Sequence, residues 1–171
     1  MTSSSGNEAA EARRVAEHLL RSGRFGGPTS AAARVLKPLA VHAPDGSLHS
    51  WFVPIAAGAT LLGFAELLAD LTMTRYSSFQ RRPDSTEGCP SVAEWTDPAV
   101  VLATLEPHLL PGEVPGEPVL TFDRVPSRLA WAVEVEAPGG TQRRLFVAGT
   151  AFWQGSTEKE EDSVDGAGAF G

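Results

Sequence analysis

The 171-residue sequence is poor in cysteine, in cationic side chains and in long apolar runs. The single cysteine, Cys89, excludes an internal disulfide framework and a cysteine-rich zinc site. No apolar run approaches the roughly 20 residues that cross a bilayer, and residues 1–8 lack the basic start and apolar stretch of a secretory signal. We therefore expect a cytoplasmic protein with no membrane partner.

Acidic residues outnumber basic ones, 21 to 14, which gives a formal net charge of -7 and argues against general nucleic-acid binding. The charge is uneven, because residues 156–171 hold five carboxylates against Lys159, a local net of -4. The case against nucleic acid is therefore weaker for the rest of the chain. The small, acidic composition of 155–171 predicts a disordered tail.

The first half of the chain, residues 8–80, reads as one helix followed by antiparallel strands. Apolar residues recur at helical spacing over 8–22, and Gly23 ends that helix. Strands are predicted over 34–42, 47–55, 60–71 and 70–79. Pro38 interrupts the first of these strands and favours an edge position, while the alternation in the second strand predicts that Trp51, Val53 and Ile55 face a core.

The second half of the chain is predicted over residues 97–154, after a linker at 81–96 that has few apolar residues. Asp97 and Pro98 form a good helix start, and Pro107 must stop or kink that helix near Glu106. A breaker-rich connection over 111–116 follows. Strands are then predicted over 118–125, 128–136 and 141–153.

The two halves share one order of elements: helix, breaker, strand, turn, tryptophan-containing strand, turn and closing strand. Trp51 and Trp131 occupy matching places in this order, and Phe79-Gln80 matches Trp153-Gln154. A half of this size buries little apolar area by itself, so the halves are expected to pack together. The predicted fold class is α+β, with two related helix-plus-antiparallel-sheet halves. Convergence of two unrelated α+β halves on similar patterning is the alternative.

Residues 97–154 resemble a PepSY-like or cystatin-like small α+β module, with a possible second copy in 9–80. The resemblance is carried by these segments: Asp97-Pro98-Ala99, Leu110-Pro111-Gly112, the strand from Trp131 to Glu136, the Gly139-Gly140 turn, and Arg144-Leu-Phe-Val147. Where the family pattern commonly closes with an Asp-x-x-Gly-type turn, this chain has Ala148-Gly149-Thr150. The resemblance implies a non-catalytic module that inhibits, chaperones or binds peptides.

Aromatic residues provide the candidate binding surface. Large side chains fall on both phases of some strands, so a sheet face that does not pack on a helix would present an aromatic surface. The candidate binding residues are Trp51, Phe52, Trp131, Phe152 and Trp153. Such a surface could bind a peptide or protein, form a homodimer contact, or join the two halves.

Residues that could support chemistry are few, and no cofactor or metal site is expected. Cys89 lacks a neighbouring base, and no nucleophile elbow, phosphate loop or dinucleotide fingerprint is present. His42 and His49 flank the turn at Asp45 and could form at most a weak metal site. We therefore predict a non-catalytic binding protein that engages a protein or peptide through a sheet face or edge. The alternatives are a precursor whose Ser/Thr/Glu/Lys/Asp-rich tail is enzymatically modified, and a small enzyme that uses Cys89 or the two histidines.

Overall fold

The computed structural model describes residues 3–25 and 31–155, which form an α+β fold with two antiparallel five-stranded sheets. The first half contains helix α1 (Ser3–Arg21) and strands β1 (Arg34–Val35), β2 (Leu39–His42), β3 (Leu48–Ala57), β4 (Thr60–Leu68) and β5 (Met73–Ser78). The second half contains helices α2 (Val92–Thr96) and α3 (Pro98–Leu105), a 3-10 helix (Glu106–His108), and strands β6 (Val114–Pro115), β7 (Val119–Phe122), β8 (Leu129–Glu136), β9 (Gln142–Ala148) and β10 (Ala151–Gln154).

Both sheets have the same strand connectivity. In the first sheet, β3 pairs with β4 along one side and with β1 and β2 along the other, and β4 pairs with β5. In the second sheet, β8 pairs with β9 along one side and with β6 and β7 along the other, and β9 pairs with β10. The strand predicted over 34–42 does lie at an edge, and it is broken around Pro38, which has no N–H to donate.

The first sheet is buried on both faces. Trp51, Val53 and Ile55 pack in one apolar cluster with Ala12 and Ala16 of α1, as their alternation predicts. The alternate side chains of β3 and β4 point into a second cluster, which explains why these strands are apolar in both phases.

The second cluster is the main core and lies between the two sheets. It joins Phe52 and Phe64 of the first sheet to Val101 and Leu105 of α3 and to one face of the second sheet. That face, which we call the inner face, is formed by Trp131, Val133, Val135, Leu145 and Val147. Along the molecule the layers are therefore α1, the first sheet, α2 with α3, and the second sheet.

Helix α2 occupies the end of the segment predicted to be a linker. Ser91 and Glu94 form a capping box, in which the Ser91 hydroxyl accepts from the Glu94 N–H and the Glu94 carboxylate accepts from the Ser91 N–H. Trp95 packs against the main core and holds this short helix in place. Helix α3 begins at the predicted Asp97 cap and ends at Leu105, as Pro107 requires.

Other boundaries also differ from the prediction. Helix α1 begins at Ser3 rather than at residue 8. The single strand predicted over 141–153 is two strands, because Gly149 takes a left-handed φ of 61° and closes a tight turn between β9 and β10. The short strand β6 lies in the segment expected to be a breaker-rich connection. Of the tail predicted over 155–171, residues 156–171 lie outside the described residues. Among residues 3–25 and 31–155, no helix is long and apolar enough to cross a membrane.

Candidate binding cleft between the two halves

The structure separates the five aromatic residues predicted to bind a partner. Three of them are core residues, with exposures of 3% for Trp51, 0% for Phe52 and 5% for Trp131. The indole N–H of Trp131 also donates to the Trp95 carbonyl at 2.9 Å, which ties β8 to α2. Phe152 packs against the main core, with its ring stacked 4.2 Å from that of His108. Only Trp153 lies on the opposite side of the second sheet.

That opposite side of the second sheet, which we call the outer face, carries small side chains at its centre. Its residues are Val119, Thr121, Ala130, Ala132, Glu134, Arg144, Phe146, Ala148 and Trp153. Its apolar cluster consists of Ala130, Ala132, Phe146, Ala148 and Trp153, and contains no residue of the described helices. The centre of this face is buried, with exposures of 0% for Ala130, 9% for Ala132 and 4% for Phe146.

Trp153 is held firmly on the outer face. Its indole N–H donates to the Asp123 carboxylate at 2.9 Å, and its ring stacks on Phe146 with 5.6 Å between centroids. The Arg128 guanidinium lies 5.7 Å above the Trp153 ring and 3.2 Å from the Asp123 carboxylate. An aromatic side chain fixed in this way loses little rotamer entropy when a partner contacts it.

A cleft of about 410 Å³ opens where the outer face meets the first half of the chain. Val119, Thr121 and Ala132 form its floor, and the turn from His42 to Gly46 forms one wall. Strands β2 and β7 run side by side here, and the Thr121 hydroxyl donates to the His42 carbonyl at 2.7 Å. Both halves of the chain therefore contribute to the cleft.

The rim of the cleft is charged. Glu134 and Arg144 form an ion pair in which both side chains are about half exposed, whereas Glu117 makes no ion pair within the described residues. The His42 Nδ1 atom is buried and has no hydrogen-bond partner among residues 3–25 and 31–155. With 44% of Val119 exposed on the floor, the cleft combines apolar surface with a few polar groups, which is the usual composition of a ligand site.

The wall of the cleft is fixed by Asp45. Its carboxylate accepts from the Ser47 N–H at 2.9 Å and from the Ser47 hydroxyl at 2.6 Å. The hydrogen bond from the Ser47 hydroxyl, and after it the one from the Ser47 N–H, lower the pKa of Asp45 below its ordinary value of 3.8. The turn is thus stabilised by a carboxylate that is ionised at neutral pH.

The histidine pair predicted as a weak metal site does not assemble. A bulge after Val41 brings His42 opposite Leu48 in the strand register, while His49 bonds to the Ser50 hydroxyl through Nδ1 at 3.0 Å. Within the described residues, no three histidine, cysteine, aspartate or glutamate side chains are arranged to hold a metal ion.

Cys89 lies in a separate cleft of about 450 Å³ with Phe79, Trp95 and Gly149. Burial raises the pKa of its thiol above the ordinary value of 9.0, which is the opposite of what a thiolate nucleophile needs.

A buried polar cluster lies at the edge of the first sheet. Ser50 is fully buried and donates to Glu66 at 3.3 Å, and Glu66 pairs with Arg75 at 2.6 Å. A fully buried serine is not accessible to a substrate. The arrangement instead satisfies a carboxylate that would otherwise be buried without partners among Phe52 and Phe64.

Sequence reasoning missed the floor and rim of the cleft, and none of the five predicted binding residues is among the described residues that line it. Alternation along β8 does place Ala130 and Ala132 opposite Trp131, but small residues on a strand give no sign of a cleft by themselves. Comparison with known proteins found no matching family model, no matching curated protein and no matching solved structure.

Proposed function

We propose that this chain is a non-catalytic binding protein that engages a protein or peptide partner through the outer face of the second sheet. One observation carries the proposal: the outer face borders a cleft of about 410 Å³, and Val119 on the floor of that cleft is 44% exposed. Exposed apolar surface with a polar rim is typical of interaction sites. Of the predicted binding residues, Trp153 is the one that this proposal retains.

We also propose that the two sheets arose by duplication of one unit, as the order of elements in the sequence suggests. The strand registers support this, because paired residues in the first sheet have paired counterparts 80 positions later. Examples are Trp51–Leu67 with Trp131–Val147, and Val53–Ala65 with Val133–Leu145. Both halves also place a helix against the tryptophan-bearing face of their sheet. The resemblance of 97–154 to PepSY-like modules agrees with a binding role and remains part of the proposal.

A catalytic role is a weaker proposal. The raised pKa of Cys89 and the full burial of Ser50 leave neither residue suited to act as a nucleophile. The precursor alternative concerns residues 156–171, which lie outside the described residues.

The proposed function can be tested with a phage library of random linear 16-residue peptides, screened against the purified full-length protein. Retained clones are then measured against Val119→Arg, which places a charge on the cleft floor without disturbing a buried residue. Leu110→Arg is the matched control, because Leu110 is a 60% exposed aliphatic residue outside the strands of the second sheet. We expect clones that bind the wild type and the control but lose at least tenfold in affinity for Val119→Arg. No retained clones, or clones indifferent to Val119→Arg, would contradict the proposal.

A further inference from the structure

We propose that the loop between β7 and β8, residues 123–128, is a preformed recognition loop that inserts the Arg124 side chain into a carboxylate-lined recess of a partner protein. None of the loop residues is among the described residues that line the 410 Å³ cleft. The inference therefore goes beyond the proposed function, and either one can be wrong without the other.

The backbone of the loop is strained at Arg124. Its φ is 65°, in the left-handed region that favours glycine. The Val125 N–H donates to the Asp123 carbonyl at 2.7 Å, so Arg124 is the central residue of a γ-turn of the positive-φ form, which is rare and strained. The turn between β2 and β3, at the corresponding place in the first sheet, has Gly46 at its left-handed position, with a φ of 86°. Glycine meets the same need there without strain.

No contact of the Arg124 side chain offsets this strain. Leu71 is the other non-glycine residue with a positive φ in the described part of the chain, and its side chain packs against the apolar cluster of α1 and the first sheet. Arg124 is exposed, and its side chain makes no hydrogen bond or ion pair within residues 3–25 and 31–155. Backbone strain that the fold itself does not use is typical of functional sites. The arginine is therefore available for a contact outside the chain.

The loop is held in one conformation by hydrogen bonds at both ends. The Arg128 N–H donates to the Val125 carbonyl and the Asp123 N–H donates to the Arg128 carbonyl, each at 2.9 Å. The Asp123 carboxylate also accepts from the Trp153 indole at 2.9 Å and pairs with the Arg128 guanidinium at 3.2 Å. A loop that is fixed before binding loses little conformational entropy on association.

The exposed side chains of the loop indicate the chemistry of the partner surface. Arg128 already pairs with Asp123, so Arg124 carries the unpaired positive charge of the loop. A carboxylate suits a guanidinium because it can accept two parallel hydrogen bonds. Val125 beside it is 47% exposed, and Pro126 is exposed as well. An apolar surface next to the partner's carboxylates would therefore complete the contact.

A protein fits this loop better than a nucleic acid does. Binding to a phosphate backbone depends on several cations acting together. The loop offers one unpaired cation beside two apolar side chains, in a chain with a formal net charge of -7. In protein interfaces, by contrast, an arginine surrounded by apolar contacts is a frequent source of binding energy.

The first measurement tests whether the fold needs Arg124. Arg124→Gly should keep or raise the midpoint of urea unfolding, because relief of the positive φ offsets the freedom that glycine adds to the unfolded chain. Leu71→Gly is the matched control and should lower the midpoint, because its side chain is lost from the apolar cluster. A lower midpoint for Arg124→Gly would show that the arginine stabilises the fold, and the inference would be wrong.

The second measurement tests the contact itself. The probe is a phage library of repeat proteins randomised on their concave surface, selected against the purified full-length protein. We expect most independent clones to gain Asp and Glu at the randomised positions and to lose about thirtyfold in affinity for Arg124→Ala. Arg82→Ala is the matched control, because Arg82 is also an exposed loop arginine without an ion pair in the described residues. The clones should keep their affinity for this control.

The other outcomes separate this inference from the proposed function. Clones that are insensitive to Arg124→Ala, or that depend on Arg124 without gaining Asp and Glu, would overturn the inference. If such insensitive clones lose affinity for Val119→Arg instead, the proposed function stands and the loop is not the binding element. If a 20-base-pair DNA duplex binds the wild type but not Arg124→Ala, and no clone depends on Arg124, the loop contacts phosphate and the inference of a protein partner is wrong.

Discussion

The ion pair of Glu66 and Arg75 should show a strong asymmetry when its partners are removed one at a time. The Glu66 side chain is 6% exposed and Arg75 is 30% exposed. Arg75→Leu leaves a buried carboxylate with the Ser50 hydroxyl, 3.3 Å away, as its side-chain hydrogen-bond donor. Losing the counter-ion of a buried charge should lower the free energy of unfolding by about 3 kcal/mol.

Removing the carboxylate should cost much less. Glu66→Leu leaves a guanidinium that can turn toward water, and it adds an apolar side chain opposite Phe52 in the register. We expect a loss of about 1 kcal/mol, because a partly exposed pair contributes little once its buried member is gone. The double variant should therefore resemble Glu66→Leu rather than the sum of the two single variants.

These differences can be measured by urea unfolding at pH 7, followed by the fluorescence of the four tryptophans. A change in the midpoint urea concentration reports a change in stability if the dependence of the unfolding free energy on urea keeps the same slope. The reasoning would be refuted if Glu66→Leu proved as destabilising as Arg75→Leu. It would also be refuted if the double variant lost the sum of the two single effects.

Three further predictions concern other parts of the fold. Gly63→Ala should lower the free energy of unfolding by about 3 kcal/mol, because an added Cβ would lie 2.4 Å from a backbone oxygen of β5. Gly139→Ala should be nearly neutral in the same urea assay, because the space around Gly139 is open. Hydrogen bonds from Arg143 lower the pKa of Glu113 below its ordinary value of 4.5. The stabilisation from this carboxylate is therefore present above pH 4.5 and is lost as the pH falls through the lower pKa of the folded state. The difference in the free energy of unfolding between wild type and Glu113→Gln should narrow below pH 4.5. Burial raises the pKa of Cys89, so its alkylation by iodoacetamide should still accelerate above pH 9, and a plateau below pH 8 would show an activated thiol instead.

Local signals in the sequence were sufficient for most elements of the fold. The alternation at Trp51, Val53 and Ile55 predicted that this side of β3 faces a core, and Asp97 marked the start of α3. These features are determined by residues close together in the sequence, so a local sequence pattern is enough to predict them. The break at Pro38 is of the same kind, because it follows from a missing N–H.

The elements that the sequence did not reveal depend on distant contacts. Helix α2 has five residues, too few to be stable alone, and it depends on the stacking of Trp95 against the first sheet. The cleft likewise exists because residues far apart meet: the Thr121 hydroxyl bonds to the carbonyl of His42, 79 positions earlier. No window of the sequence contains both sides of that contact.

The most direct test of the proposed function is to map where a selected peptide binds. Backbone amide shifts of the 15N-labelled full-length protein are recorded while the peptide is added. We predict that the largest shifts fall on β7, β8 and β9 and on the turn at 42–46, with Ala132 among them, and that α1 and β5 change little. Shifts confined to α1 or to β5, with β7, β8 and β9 unmoved, would contradict the claim that the outer face is the binding site.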